Sequence, residues 1–176
     1  LRPLWEPPEG PYFIGMTSPS GMTTNAYAEL HCHSNFSFQE GASFIHELLP
    51  RAMELGYPAL ALTDHDNLCG AMEFAQAAGG LGIRPITGAE VTLKGGSHLT
   101  LLAENRPGYG NLCQLLSEAR LTTDRRDPEL DPRFLAEHAQ GLILLSGCRQ
   151  GEVPSLVQQG RLSEAQGVIR HYVEWF

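Results

Sequence analysis

The sequence predicts an α/β domain whose sheet is largely parallel, either open or rolled into a barrel. Three observations carry that prediction. Five short apolar runs alternate with stretches of helical periodicity, the order expected of strand–helix units. The chain has 176 residues, enough for one domain that buries roughly 70% of its unfolded surface and too few for two independent ones. No internal repeat or low-complexity tract interrupts the alternation.

Residues 1–25 hold Pro3, Pro7, Pro8, Pro11 and Pro19 without a sustained period of 2 or 3.6 residues, and read as a Pro-rich tail, an upstream extension or an expression remnant. Met22 is a candidate natural start. The domain is expected over residues 26–176. Its first strand is expected at Tyr27 to His31. Ser43 can then cap a helix carrying Phe44, Ile45, Leu48, Leu49, Ala52 and Leu55 at helical spacing, closed by Gly56. A strand at Ala59 to Thr63 and a helix from Leu68 to Ala78, stopped by Gly79 and Gly80, follow. Strands at Arg84 to Thr87 and His98 to Ala103 precede a helix from Tyr109 to Leu121, with Leu112, Leu115, Leu116 and Ala119 on one face. After a polar loop to Pro132, a short helix to His138, a strand from Gly141 to Ser146 and helices at Glu152 to Gln159 and Ser163 to Trp175 complete the pattern.

Composition narrows the function. Twelve Lys and Arg against 20 Asp and Glu give a net charge of -8, which disfavours an autonomous high-affinity nucleic-acid binder built on clustered basic side chains. At 42% hydrophobic and 18% charged the composition is that of a globular protein rather than a disordered one. Apolar runs such as LILL at 142–145 fall far below the roughly 18 residues of a membrane span. With no signal-peptide pattern, a cytoplasmic protein without membrane attachment is expected. Cys32, Cys69, Cys113 and Cys148 stand 37, 44 and 35 positions apart, which suits reduced thiols rather than a zinc ribbon or a disulfide framework.

Chemistry collects at the predicted strand ends. His31 and His33 flank Cys32 directly after the first strand; in extended backbone residues i and i+2 share a side, so both imidazoles can face one metal ion while Cys32 faces away. A chance pair of histidines is the bland alternative. Thr63-Asp64-His65-Asp66-Asn67 follows the next apolar run. It reads as a helix-capping turn, as a site with His65 on a metal and Asp64 orienting an imidazole, or as both. Glu90, His98 and Cys148 each stand beside a later strand. Singly they suggest a solvated acid, a structural imidazole and a small buried hydrophobe. Their recurrence at the same ends of successive strands points to one metal-binding rim. Nitrogen and oxygen ligands with one thiolate suit Zn or Mn, with Fe as a further option, over Mg or Ca. Ions of this kind activate water and clamp a phosphoryl group, which implies phosphoester hydrolysis. His46, His138 and His171 lie in helical patterns and receive no role. There is no GxSxG, Walker-type loop or GxGxxG, against a serine hydrolase, a P-loop NTPase or a dinucleotide enzyme.

The blocks YAELHCHSNFSFQEGAS, PALALTDHDNLCGAMEF, GIRPITGAEV, HLTLLAENRPGYGNLCQLLSEAR and GLILLSGCRQGEV together resemble the PHP (polymerase and histidinol phosphatase) domain. The likeness is to the form found at the N-terminus of bacterial DNA polymerase III alpha-type subunits. The SNFSF and GAS wording is most similar to the error-prone alpha subunit. The resemblance implies a distorted (βα)7 barrel, incomplete in this chain, with the family's last Asp-x-His pair expected downstream of Phe176. It implies His31, His33, His65 and Glu90 as the catalytic centre. Glu40, His98 and Cys148 join them as metal ligands, Glu40 standing where polymerase relatives commonly carry Asp. It further implies a role in DNA replication or damage-induced synthesis, with 3′ to 5′ exonuclease activity, and partners in the remainder of the polymerase chain and, through it, DNA. An uncovered barrel edge predicts dimerisation of the isolated piece. The alternatives are an inert, partner-binding PHP module and a free-standing phosphatase of histidinol-phosphate type.

Overall fold

The computed structural model describes residues 27–176, so the Pro-rich stretch and Met22 lie outside the described residues. Ten elements follow in order: α1 (Ile45–Glu54), β1 (Ala59–Leu62), α2 (Ala71–Leu81), β2 (Arg84–Thr92), β3 (His98–Ala103), α3 (Arg106–Thr122), α4 (Pro132–Glu137), β4 (Leu142–Leu145), α5 (Glu152–Gln158) and α6 (Leu162–Trp175). The strands form one sheet in the order β1-β2-β3-β4.

That sheet is mixed rather than largely parallel. β1 and β2 pair in parallel across the α2 crossover, whereas β2 with β3 and β3 with β4 are antiparallel. Chain length explains the first reversal: only residues 93–97 join β2 to β3, and a parallel pair needs a crossover of about a dozen residues or more. The expected first strand reduces to a single parallel bridge between Glu29 and Leu60. β2 instead runs to Thr92, five residues beyond the expected Thr87, because Gly88 to Thr92 pair along their whole length with β3.

Helix boundaries moved for local reasons. α1 starts one residue later than expected, with Phe44 rather than Ser43 at its cap, and the Glu47 carboxylate reaches back to accept the Phe44 N–H at 2.8 Å, the return half of a capping box. α2 runs through Gly79 and Gly80, each tolerated in a helix at about 1 kcal/mol, and ends at Gly82, whose φ of 71° supplies the left-handed cap. α3 begins earlier than expected because Asn105 caps it, its side chain accepting the Gly108 N–H at 2.9 Å, with Pro107 in the first turn.

Two apolar clusters hold the layers. Leu112, Leu115, Leu116 and Ala119 of α3 pack on Ala89, Val91, Leu99 and Leu101 of the sheet. Ile45, Leu49 and Ala52 of α1 meet Phe74 and Ala78 of α2 over Leu60 and Leu62 of β1. Together they fix β1, β2 and β3 side by side, which is what the rim requires. Among the described residues no helix is long and apolar enough to cross a membrane.

Candidate metal centre

The sheet register brings the chemistry to one rim. β1 ends at Leu62, and the following residues carry His65 into a parallel bridge with Glu90 of β2. His98 opens β3 opposite Thr92, the last residue of β2. His98 therefore reaches the rim from the amino end of an antiparallel strand, not from a carboxyl end like its neighbours. Cys148 follows β4, which runs antiparallel to β3 and ends at the same side.

The segment bearing His31 and His33 is folded onto β1 by Asp64. This carboxylate, 1% exposed, accepts the Ser34 N–H at 2.7 Å, the Ser34 hydroxyl at 2.8 Å and the Ser37 hydroxyl at 2.6 Å. The expected imidazole partner of Asp64 is thus replaced by two serines, whose donors occupy both carboxylate oxygens. Asp64 positions the loop rather than a ring. Gly41 closes that turn where a Cβ would stand 2.0 Å from the Ser34 carbonyl oxygen, a contact that excludes any side chain. Cys32 turns to the α1 side, and burial pushes its thiol up to about 11, leaving it an inert packing group.

Glu90 is the hub, 2% exposed. Its Oε2 is hydrogen-bonded to His31 Nε2 and lies 3.3 Å from His33 Nε2. Its Oε1 is hydrogen-bonded to His98 Nδ1 and lies 3.7 Å from Cys148 Sγ, itself 4.0 Å from His98 Nδ1. Burial acts to raise the Glu90 pKa, but the neighbouring His31, His33 and His98 imidazoles outweigh it and hold the carboxyl well below its usual range. His33 is shifted upward, chiefly by Glu90 beside it. Glu40 Oε2 lies 2.8 Å from His65 Nδ1 and 3.6 Å from His33 Nδ1. All seven expected ligands therefore meet in one network. Two triplets within it can each hold an ion, His31–His33–Glu90 and His65–Glu90–His98, sharing Glu90.

The donors fit a divalent cation. His33 Nε2 is buried and makes no hydrogen bond, a state costing about 1–3 kcal/mol that coordination relieves. Metal–ligand bonds of about 2.0–2.3 Å place neighbouring donors of one tetrahedral ion about 3.3–3.8 Å apart, the range of the His33–Glu90 and Glu90–Cys148 separations.

Three participants received no role from the sequence. Asp66 and Thr92 contact His65, and Arg120 contacts Asp66. Asp66 belongs to the conspicuous TDHDN run and has a positive φ of 52°; Thr92 and Arg120 stood out in no way. His46 and His171 stack on Phe44 and Trp175, and His138 bonds the Phe134 carbonyl, all away from the rim.

A mixed sheet whose rim gathers imidazoles around a shared carboxylate defines an α/β domain with a candidate metal-binding centre. Residues 29–176 match the family model described as the PHP domain, and the chain belongs to that family. An error-prone DNA polymerase of Symbiobacterium thermophilum is 46% identical over 167 residues, covering 86% of this chain and 15% of that protein. A DNA polymerase III subunit alpha of Treponema pallidum is 39% identical over 165 residues, covering 86% of this chain and 14% of that protein. The chain thus spans about one-seventh of the length of these curated relatives. A solved two-domain protein of Bacteroides vulgatus, described as containing a predicted PHP-like metal-dependent phosphoesterase, aligns with a TM-score of 0.48 at 18% identity, over 83% of this chain and 47% of that one.

Proposed function

We propose that this chain is the PHP domain, beginning near residue 26, of a DNA polymerase III alpha-type subunit of the error-prone branch, and that its rim hydrolyses phosphodiesters at the 3′ end of DNA. The observation that carries the reading is the division of Glu90, with Oε2 toward His31 and His33 and Oε1 toward His98 and Cys148. A carboxylate used on both oxygens by separate donor groups suits two ions held side by side. His31 and His33 would hold one, His65 and His98 the other, with Glu40 and Cys148 completing the shells. Zn or Mn is the ion expected from this donor set.

Divalent ions bound there supply the polarisation of a phosphoryl oxygen and the lowered pKa of a bound water. The chain's own residues do the rest. Glu90 stays ionised at any pH near neutrality and fixes the spacing of the two halves. Asp64 holds the His31–His33 segment against β1, and the surrounding apolar clusters keep β1, β2 and β3 in register. The remainder of the polymerase chain is the expected partner and the route by which DNA reaches the rim, in the cytoplasm. β4 is an edge strand among the described strands, and in isolation that edge would pair with a second copy.

Elemental analysis of the purified chain, with a mismatched DNA 3′ end and a small phosphomonoester as parallel substrates, tests the proposal. It expects bound Zn or Mn, loss of that metal in a His31→Ala, His33→Ala variant, and preference for the DNA end. Unchanged metal content in the double variant would overturn the site. Preference for the monoester would favour a free-standing phosphatase. Bound metal that raises the melting temperature without turnover on either substrate would favour a structural module.

A further inference from the structure

Glu90, Thr100 and Leu145 stand opposite one another across β2, β3 and β4, so they share one face of the sheet, the face of the Glu90 hub. Alternation beyond Leu145 would put residue 147 opposite His98 on that face and residue 148 on the other, where Leu99 and Leu101 pack against α3. A strand that simply continued would therefore aim Cys148 away from the rim. Its Sγ instead lies 3.7 Å from Glu90 Oε1 and 4.0 Å from His98 Nδ1.

The reversal occurs at Gly147. Its φ of 82° is left-handed backbone that favours glycine, and a Cβ there would stand 2.5 Å from the His98 carbonyl oxygen. A tight turn follows, in which the Cys148 carbonyl accepts the Gly151 N–H at 2.9 Å. The Cys148 sulfur accepts the Gln150 N–H at 3.4 Å, the position that an Asp, Asn or Ser oxygen commonly takes in a turn. The Gln150 carbonyl accepts the His98 N–H at 3.2 Å and fastens the turn to β3. Gly151, at φ -65°, is required for space alone. A Cβ there would stand 2.4 Å from the Ser146 carbonyl oxygen, 3.0 Å from that of Cys148 and 3.1 Å from that of His98, and backbone oxygens cannot swing aside as a side-chain end can.

We propose that Gly147 and Gly151 are positioning residues: together they turn the chain after β4 so that the Cys148 thiol is presented to the Glu90–His98 side of the metal centre. The proposal rests on the metal-site reading but adds two residues without side chains, which touch no ion. Loss of a group that orients a ligand typically weakens metal binding about 10–100-fold.

The test reads the sulfur. Co2+ substitutes for Zn2+ and absorbs in the near ultraviolet when a thiolate is among its ligands. The Co2+-loaded wild-type chain should show that absorption, and Gly147→Ala and Gly151→Ala should each lose it, as Cys148→Ser should. In both glycine variants Zn2+ binding, measured by chelator competition, should weaken about 10–100-fold, and Mn2+ binding by less, since the thiolate is the softer ligand. Gly160→Ala is the control. Gly160 has a φ of 74° and open space around a Cβ, so this variant carries the same kind of backbone strain at the end of α5 and should keep the absorption. In the metal-free chain, iodoacetamide should modify Cys148 faster in the two glycine variants than in the wild type, with exposed Cys69 unchanged. Folded Gly147→Ala and Gly151→Ala chains with wild-type absorption and affinity overturn the proposal, as does loss of the absorption in Gly160→Ala. If neither glycine variant folds, hydrogen exchange at the Gln150 and Gly151 amides of the metal-free wild type decides: slowed exchange is expected, and free-peptide rates overturn the turn. Should the wild type bind metal without thiolate absorption, or bind none, the metal-site reading of Cys148 fails, while alkylation and exchange still judge the turn.

Discussion

Replacing Glu90 by Gln keeps the shape of the hub and removes its charge, so it isolates what the carboxylate contributes before any ion binds. Two of the Glu90 contacts, from His31 and His98, are charge-assisted hydrogen bonds, and His33 lies 3.3 Å away without bonding geometry. A hydrogen bond to a charged group contributes about 1.5–3 kcal/mol and a neutral one about 1, so exchanging two costs about 1–4 kcal/mol. The easier desolvation of an amide offsets part of this, leaving about 1–3 kcal/mol. The pH dependence has a definite sign. Glu90 sits below its ordinary 4.5 because its histidine bonds outweigh the opposing effect of burial; its contribution is therefore full above 4.5 and lost as pH falls through the depressed value. His33 sits above its ordinary 6.5, mainly through Glu90, so its contribution is full below 6.5 and lost as pH rises through the elevated value. The Glu90→Gln penalty should peak between pH 4.5 and 6.5 and shrink on both sides. Urea unfolding of the chelator-treated chain, followed by circular dichroism across the pH range, measures it. A difference below about 0.5 kcal/mol at the peak, the size of an inert surface change, or a penalty that keeps growing into the alkaline range would refute the reasoning.

Asp64→Ala should leave two Ser34 donors and one Ser37 donor unpaired in a buried site, costing about 3–5 kcal/mol and lowering the melting temperature by about 6–20 °C, read by calorimetry. Gly41→Ala forces a Cβ to within 2.0 Å of the Ser34 carbonyl oxygen; the turn must shift, with a loss of about 1–3 kcal/mol and of metal affinity, while wild-type values for both would show the turn to be slack. Cys148→Ser should weaken Zn2+ binding by a larger factor than Mn2+ binding, since a soft thiolate favours Zn, and calorimetric titration with each ion separates the two; equal losses would place Cys148 outside the coordination shell.

Much of this arrangement was legible in the sequence, and the reasons are local. The His31-x-His33 alternation is a consequence of extended geometry, and both rings do face Glu90. The helices were legible wherever an apolar stripe was continuous, as from Leu112 to Ala119 in α3. What could not be read depends on distant pairing. The β2 extension to Thr92 exists because β3 lies beside it, and the run EVT carries too few apolar residues to announce a strand alone. The same extension makes Thr92 a neighbour of His65 and His98. Arg120 looked like any solvated basic residue on a helix, since nothing local says that a carbonyl 54 positions upstream will be presented to it. Gly79 and Gly80 misled for the opposite reason: local propensity marked a stop, and the buried contacts of Phe74 and Ala78 carried the helix past them.

The rim also bears on the acidic character of the whole chain. A net charge of -8 opposes the approach of a phosphodiester, and the rim alone sharpens the problem by gathering Glu40, Asp64, Asp66 and Glu90 within one network. Two divalent cations would add four positive charges at the one place a phosphate must dock, inverting the local field without altering the surface elsewhere. On the proposed reading, phosphate recognition is therefore conditional on metal. The chelator-treated chain should show no affinity for a DNA 3′ end even at low salt, where exposed charges act over the longest range, and restoring Zn2+ or Mn2+ should create it. Metal-independent binding of the same end by the wild-type chain would mean that basic side chains, not the rim, engage the phosphate, and the electrostatic logic that joins Glu90 to catalysis would not hold.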